Sequence, residues 1–162
     1  MRFICTTFGA IPEEAEIIMR ISRVTVGAAG HEWVHMPQPA KASPQEAAIA
    51  KDLLVLHLAT LPEYANAVFL DHDIELRAIW GMLAGMPYFI HEFPDCDRPE
   101  GRPHIGMFAV NGCTQWFRDL QAEKIRRGIQ DVYGYPNKLL RDKKPGVIPE
   151  SCYTHHRLTS GK

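Results

Sequence analysis

Short apolar runs and helix-spaced apolar positions take turns along the first half of the chain. Phe3 to Thr6 reads as a strand closing on Thr6-Thr7, with Gly9 and Pro12 marking the turn that follows. Pro12 in the first turn and Glu13, Glu14 and Glu16 near the start fit a helix, by the proline preference and by the attraction of acids to the positive end of the helix dipole. That helix runs through Met19 and Arg23, and its end is open, because Val24-Thr25-Val26 has strand chemistry before the glycines at 27 and 30. Glu32 to Met36 predicts a second strand, bounded by Pro37-Gln38-Pro39. Ser43-Pro44-Gln45-Glu46 then joins a capping serine, a proline at the first helical position and an acid three residues after the cap, and Ile49, Leu53 and Leu56 recur at helical spacing. This helix ends near Leu61-Pro62 and a third strand follows through Val68, Phe69 and Leu70. The sequence of elements predicts an α/β fold, a mostly parallel Rossmann-like sheet flanked by helices.

The second half is less regular. Ile74 to Met86 reads as a helix, Tyr88 to Phe93 as a strand, and the proline-rich, charged stretch from Asp95 to Pro103 as a surface loop. Ile105 to Val110 predicts another strand and Thr114 to Arg127 a helix with Trp116 in the core; the remainder reads as mostly irregular. No internal repeat is visible. With 162 residues, 46% hydrophobic and 23% charged, residues 1–162 are expected to form one compact domain.

Charge narrows the function. A net charge of −1 argues against broad electrostatic capture of nucleic acid or an anionic membrane, and the Lys124, Arg126, Arg127 and Arg141 to Lys144 clusters read as solvated faces. No stretch reaches the roughly 20 apolar residues a membrane span needs, and the start lacks a secretory signal, so the expectation is a cytoplasmic protein. Cys5, Cys96, Cys113 and Cys152 have no paired spacing and read as reduced thiols, with a zinc site at Cys152, His155 and His156 as the alternative.

The most informative segment is Asp71-His72-Asp73, directly after the apolar run Ala67-Val68-Phe69-Leu70. A continuous apolar stretch suits a strand buried on both faces, and ligands of open α/β sheets lie at the carboxyl ends of the strands. If the backbone stays extended, Asp71 and Asp73 point the same way and His72 the other. Two carboxylates on one side suit a shared divalent cation, and hence a phosphate. The alternative is structural, with Asp71 capping a helix over Ile74 to Met86 and Asp73 in its first turn.

The stretch Ala67 to Leu76 resembles the D-x-D segment of nucleotide-sugar glycosyltransferases of the GT-A fold, particularly the glycogenin and bacterial galactosyltransferase group. Three further stretches match in the same order. His104 to Asn111 with Trp116 is similar to the family's F-N-S-G-V-M strand and following helix, although His104-Ile105 replaces the asparagine and serine. Gly128 to Asp131 and Pro136 to Leu140 are similar to the D-Q segment and the L-N after it, with the order Gln130-Asp131 reversed. Val147 to Tyr153 resembles the L-P-x-x-Y-N segment, after which the family places a metal-binding histidine.

This resemblance implies transfer of a sugar from a nucleotide diphosphate donor, a uridine one by analogy, to an unidentified acceptor. It implies Mn²⁺ or Mg²⁺ held by Asp71 and Asp73 with His155 or His156, an imidazole favouring Mn²⁺. Thr6 and Thr7 would lie beside the nucleotide, Lys162 would meet a phosphate, and Gln130 and Asp131 would contact the transferred sugar or acceptor as the catalytic pair. His72 is expected to face away from the metal while bordering the substrate. The chain is short for a transferase of this type, which implies a small acceptor or one presented by a partner. Two other functions use the same acids: a metal-dependent phosphohydrolase, and a non-catalytic nucleotide-sugar-binding module.

Overall fold

A computed structural model of the chain describes residues 1–97, 99, 101–128 and 144–158. Gln130, Asp131 and Lys162, together with the 136–140 and 141–143 stretches, lie outside the described residues. The elements in chain order are β1 (Arg2–Phe8), α1 (Glu13–Ala28), β2 (Glu32–Gln38), α2 (Pro44–Leu58), β3 (Ala67–Leu70), β4 (Ile74–Leu76), β5 (Tyr88–Glu92), β6 (Arg102–Ala109), α3 (Thr114–Arg127), β7 (Gly146–Val147) and β8 (Tyr153–His155). Six strands form one sheet in the order β2-β1-β3-β6-β5-β7. The β1–β2, β1–β3 and β5–β7 pairings are parallel, and β6 alone runs against its neighbours β3 and β5. The mostly parallel α/β sheet expected from the sequence is therefore present.

Both faces of this sheet are covered, which explains why Ala67-Val68-Phe69-Leu70 is buried at every position rather than alternating. Alternate residues divide between two cores. Phe3, Cys5, Val68, Leu70, Ile90 and Met107 pack on the side of α1, with Met19 and Val26. Ile4, Phe69, Phe89 and Phe108 pack on the side of α2 and α3, with Val55, Leu56, Phe117 and Leu120. Ring stacking continues that second core across three strands, Phe69 to Phe108 at 5.3 Å and Phe108 to Phe89 at 5.4 Å between centroids. Trp116 is buried against Phe89, as expected for a core residue.

Local signals account for the helices. Ser43 accepts a hydrogen bond from the Glu46 N–H at 3.1 Å, and Pro44 occupies the first turn, so α2 starts where its serine and proline predict. Helix α1 continues through Val24-Thr25-Val26 to Ala28, because Val26 is fully buried against the sheet and packing overrides the strand preference of the β-branched run.

Four expectations are corrected. No helix forms over Ile74 to Met86. Ile74 and Leu76 instead face the core as strand β4, which pairs antiparallel with β8 in a second, two-stranded sheet, and Asp71 caps no helix. The pairing is pinned from α1: the buried Ser22 hydroxyl donates to the Ile74 carbonyl at 3.0 Å and accepts from the Leu76 N–H at 2.9 Å. Tertiary hydrogen bonding thereby wins over helical spacing in a segment already weakened by Gly81 and by Gly85. Second, the described residues beyond α3 include two short strands not expected from the sequence, β7 in the main sheet and β8 in the small one. Third, Asp71-His72-Asp73 is a turn closed by the Ile74 N–H on the Asp71 carbonyl at 3.2 Å, not an extended continuation of β3. Fourth, Lys124 is buried rather than solvated, because its position on α3 faces Asp52 on α2.

Candidate functional site

The carboxyl ends of β1, β3 and β5 and the amino end of the reversed strand β6 share one edge of the sheet. A cavity of about 520 Å³ opens along this edge, between the sheet, α2 and the segment after β8. With strands about 4.8 Å apart, the three steps from β1 to β5 span roughly 14 Å. Each strand delivers polar groups to the cavity: Thr6 and Thr7 from β1, Asp71 to Asp73 after β3, His104 from β6 and Glu92 from β5.

At the β1 end both threonines are buried. The Thr7 hydroxyl lies 2.8 Å from His35 Nε2, whereas the Thr6 hydroxyl has no hydrogen-bond partner among the described residues. An unsatisfied buried hydroxyl facing a cavity is suited to a ligand.

At the centre, the two acids of the D-x-D turn have different surroundings. Asp71 accepts from the Lys51 ammonium at 2.5 Å, and that ammonium also meets Asp52 at 2.9 Å. Burial acts to lower the Lys51 pKa, but Asp71 and Asp52 overcome it and hold the amine charged, above its ordinary value. Asp52 beneath it is pushed up to about 6 by burial, with Lys51 opposing the shift. Asp73 instead meets His155. The Asp73 Oδ2 lies 3.3 Å from His155 Nε2, and its Oδ1 is buried with no partner among the described residues.

His155 is brought to this point by the β4–β8 pairing, which sets it opposite Ile74, next to Asp73 in the chain. The His156 N–H donates to the Asp73 carbonyl at 2.9 Å and ties the two segments together. The other ring nitrogen of His155, Nδ1, is hydrogen-bonded to Glu92. Burial acts to lower the His155 pKa, yet bonds to Asp73 and Glu92 raise it to about 9, so both ring N–H groups donate to carboxylates. Asp73 is correspondingly held below the usual carboxylate range, burial being outweighed by His155.

Glu92 is the second hub. Its Oε2 lies 3.4 Å from the Arg157 guanidinium and 4.0 Å from His104 Nε2. His104 Nδ1 accepts from the Gly106 N–H at 2.9 Å, which directs an Nε2–H toward Glu92 in the neutral ring. Burial lowers the His104 pKa and favours that neutral form. The ring folds back this far only because residue 106 is glycine, since a Cβ there would meet His104 Nδ1 at 2.8 Å.

The structure thus brings Thr6, Thr7, Asp71, Asp73 and His155 into one cavity, which His72 also lines. His156 stands apart, outside the cavity lining and 3.5 Å from Glu75. Lys51, Glu92, His104 and Arg157 complete the site without having been singled out for it from sequence. Glu92 carried one legible sign: like Asp71, it ends an apolar strand with an acid.

The donor set suits a hard divalent cation. Among the described residues no three of the His, Cys, Asp and Glu side chains converge as a ready-made metal cage. The unpartnered, buried Asp73 Oδ1 beside His155 nevertheless fits an ion that takes one or two carboxylates and fills its other positions with phosphate and water, as Mg²⁺ and Mn²⁺ do. All four cysteines are free thiols, and Cys152 does not line the cavity, so the zinc alternative gains nothing from the geometry.

No family model and no curated protein matches the chain. Among solved structures it is similar to a glycosyltransferase involved in the glycosylation of the major capsid of PBCV-1, with a TM-score of 0.55 and 11% identity over 91% of this chain and 80% of that one. The chain shares its fold with that protein. GlyE, a glycosyltransferase of Streptococcus pneumoniae TIGR4, aligns at a TM-score of 0.46 and 10% identity, over 92% of this chain and 45% of that one. In this fold the D-x-D turn stands at the middle of the cavity edge, between the threonines of β1 and the Glu92–His104 pair. Among the described residues no helix is long and apolar enough to cross a membrane.

Proposed function

We propose that the chain transfers a sugar from a nucleotide diphosphate donor, a uridine diphosphate sugar by the resemblance of its motifs, to a hydroxyl acceptor. The observation that carries this reading is the order of groups along the cavity of a glycosyltransferase fold: threonines at β1, paired acids at β3, and a histidine and a glutamate at β6 and β5. A donor laid along that edge has its nucleoside near Thr6 and Thr7, its diphosphate near Asp71 and Asp73, and its sugar near His104 and Glu92.

Asp73 and Asp71 would hold Mn²⁺ or Mg²⁺, and His155 would join them through Nε2 once that nitrogen has given its proton to water, its Nδ1–H still donating to Glu92. When bound, the cation supplies positive charge to the departing diphosphate. Lys51 is held charged beside Asp71 and offers an N–H donor to the same phosphates. Glu92 accepts from sugar hydroxyls, its carboxylate held by the His155 Nδ1–H on one oxygen with the Arg157 guanidinium 3.4 Å from the other. Gln130 and Asp131 stay as proposed sugar or acceptor contacts, and Lys162 as a proposed phosphate contact; His156, remote from the cavity, is set aside in favour of His155 as the ligand.

The test is nucleoside diphosphate release from a panel of nucleotide sugars with Mn²⁺, with and without a mixture of saccharide acceptors. Release that rises with acceptor supports transfer. Release of equal rate without acceptor would favour a phosphohydrolase, and tight donor binding without release would favour a binding module.

A further inference from the structure

Two non-glycine residues with left-handed backbone meet at the outer end of the cavity. Phe93 has φ 57° and Arg157 φ 51°, and the Arg157 guanidinium lies 5.4 Å from the Phe93 ring centroid. A bulky aromatic rarely adopts this conformation, and strain of this kind collects at binding sites where surrounding structure enforces it. Here the enforcement is visible: Arg157 is tied to Glu92, the residue before Phe93, and the 101 position packs its backbone directly on the Glu92 carbonyl.

The result of the strain is an aromatic side chain turned outward. Phe93 lines the cavity and is 45% exposed, whereas Phe8, also on the cavity, is half-buried and the phenylalanines at 3, 69, 89, 108 and 117 are buried in the core. Arg102 also stands over it, 5.2 Å from the ring centroid, on the exposed first residue of β6. Arg157 has a carboxylate partner in Glu92; Arg102 has none among the described residues. Phe93 on the cavity and Arg102 beside it therefore offer a half-exposed aromatic ring next to a guanidinium with no carboxylate partner among the described residues.

We propose that Phe93 and Arg102 form the acceptor subsite, and that the acceptor is an anionic saccharide whose ring lies on Phe93 and whose phosphate or carboxylate meets Arg102. The apolar face of a pyranose covers an aromatic ring, and a guanidinium binds either oxyanion through paired N–H donors. Phe93 follows Glu92 directly, so an acceptor seated there has its hydroxyl beside the proposed sugar position. The word acceptor rests on the transferase reading; the saccharide binding does not.

The test is calorimetric titration of the full chain with a hexose phosphate, a hexuronate, the neutral hexose and inorganic phosphate, alongside uridine diphosphate with Mn²⁺. The expected result is that the hexose phosphate or the hexuronate, or both, binds about tenfold more tightly than either the neutral hexose or phosphate alone, a ratio equivalent to one charge-assisted hydrogen bond. Whichever of the two binds identifies the oxyanion. Phe93→Asn, whose side chain tolerates the left-handed backbone, is expected to lose the contribution of the ring, and Arg102→Gln to bring the charged sugar down to the level of the neutral one. Both variants are expected to keep the wild-type response to uridine diphosphate. Equal binding of charged and neutral hexose, equal binding of phosphate alone, or wild-type saccharide affinity in both variants would overturn the subsite. Failure of wild-type protein to bind uridine diphosphate would overturn the transferase reading instead and leave the saccharide result standing on its own.

Discussion

Replacing Lys51 with methionine removes the ammonium that Asp71 and Asp52 share while keeping most of the side-chain stem. In the native chain the Asp52 side chain is only 6% exposed and Asp71 20%, so water does little to screen either. Breaking a buried ion pair by deleting one partner costs about 3–5 kcal/mol, and the partial exposure of Asp71 places this site at the lower end, about 3 kcal/mol. For a chain of this size that corresponds to a fall in Tm of about 6–12 °C. The deficit should depend on pH with a definite sign. Asp52 already has a folded pKa of about 6, above its unfolded value, because burial outweighs Lys51, and without Lys51 it rises further. A carboxyl whose folded pKa is raised destabilises the fold when ionised, so the deficit is full near pH 8 and shrinks as the pH falls through 6 toward the unfolded carboxylate value. Urea unfolding followed by circular dichroism at pH 8 and pH 5 measures both quantities, and adding Asp52→Asn to the variant should recover at least half of the loss at pH 8. A deficit under about 1 kcal/mol at pH 8, or one unchanged between the two pH values, would refute the reading of Lys51 as a buried counter-ion.

Three further outcomes follow from particular contacts. Ser22→Ala leaves the Ile74 carbonyl and the Leu76 N–H without their buried partner and is expected to cost about 2 kcal/mol in chemical unfolding; uridine diphosphate binding should weaken with it, because β4 and β8 together hold His155 beside Asp73. Ser43→Ala removes the cap of α2, the helix that carries Lys51, and should lower Tm by about 2–4 °C, matching a loss of about 1 kcal/mol. Gly101→Ala has both a φ of 81° and a Cβ that would lie 2.7 Å from the Glu92 carbonyl oxygen, so the loss of stability should exceed about 1 kcal/mol; a neutral effect on Tm would show that the 101 backbone does not brace Glu92.

The parts of the fold legible in the sequence are those fixed by local chemistry. The cap at Ser43, the proline at 44 and the apolar run at 67–70 each report a short-range preference, and β1, α2 and β3 stand where they predict. Strand β4 was illegible because Ile74 and Leu76 satisfy either period over so short a segment, and the partner that decides between them lies at 153–155. The same distinction runs through the site. Asp71 and Asp73 announce themselves by adjacency. Lys51 does not, since a lysine on a helix ordinarily reads as solvated, and only the approach of α2 to the D-x-D turn gives it two carboxylate partners. Arg157 and Glu92 are brought together by tertiary packing that no spacing along the chain encodes.

The central claim is that Asp73, with Asp71 and His155, holds a divalent cation that grips a diphosphate. The direct measurement is the thermal shift of the full chain with uridine diphosphate, with Mn²⁺, with both together, and with both plus excess chelator, in wild type and in Asp73→Asn. At a hundredfold excess over Kd, binding should stabilise the native state by about 2.7 kcal/mol, a rise in Tm of about 5–10 °C that requires metal and nucleotide together and is absent from Asp73→Asn. A rise of the same size that persists in chelator, or survives in Asp73→Asn, would contradict it.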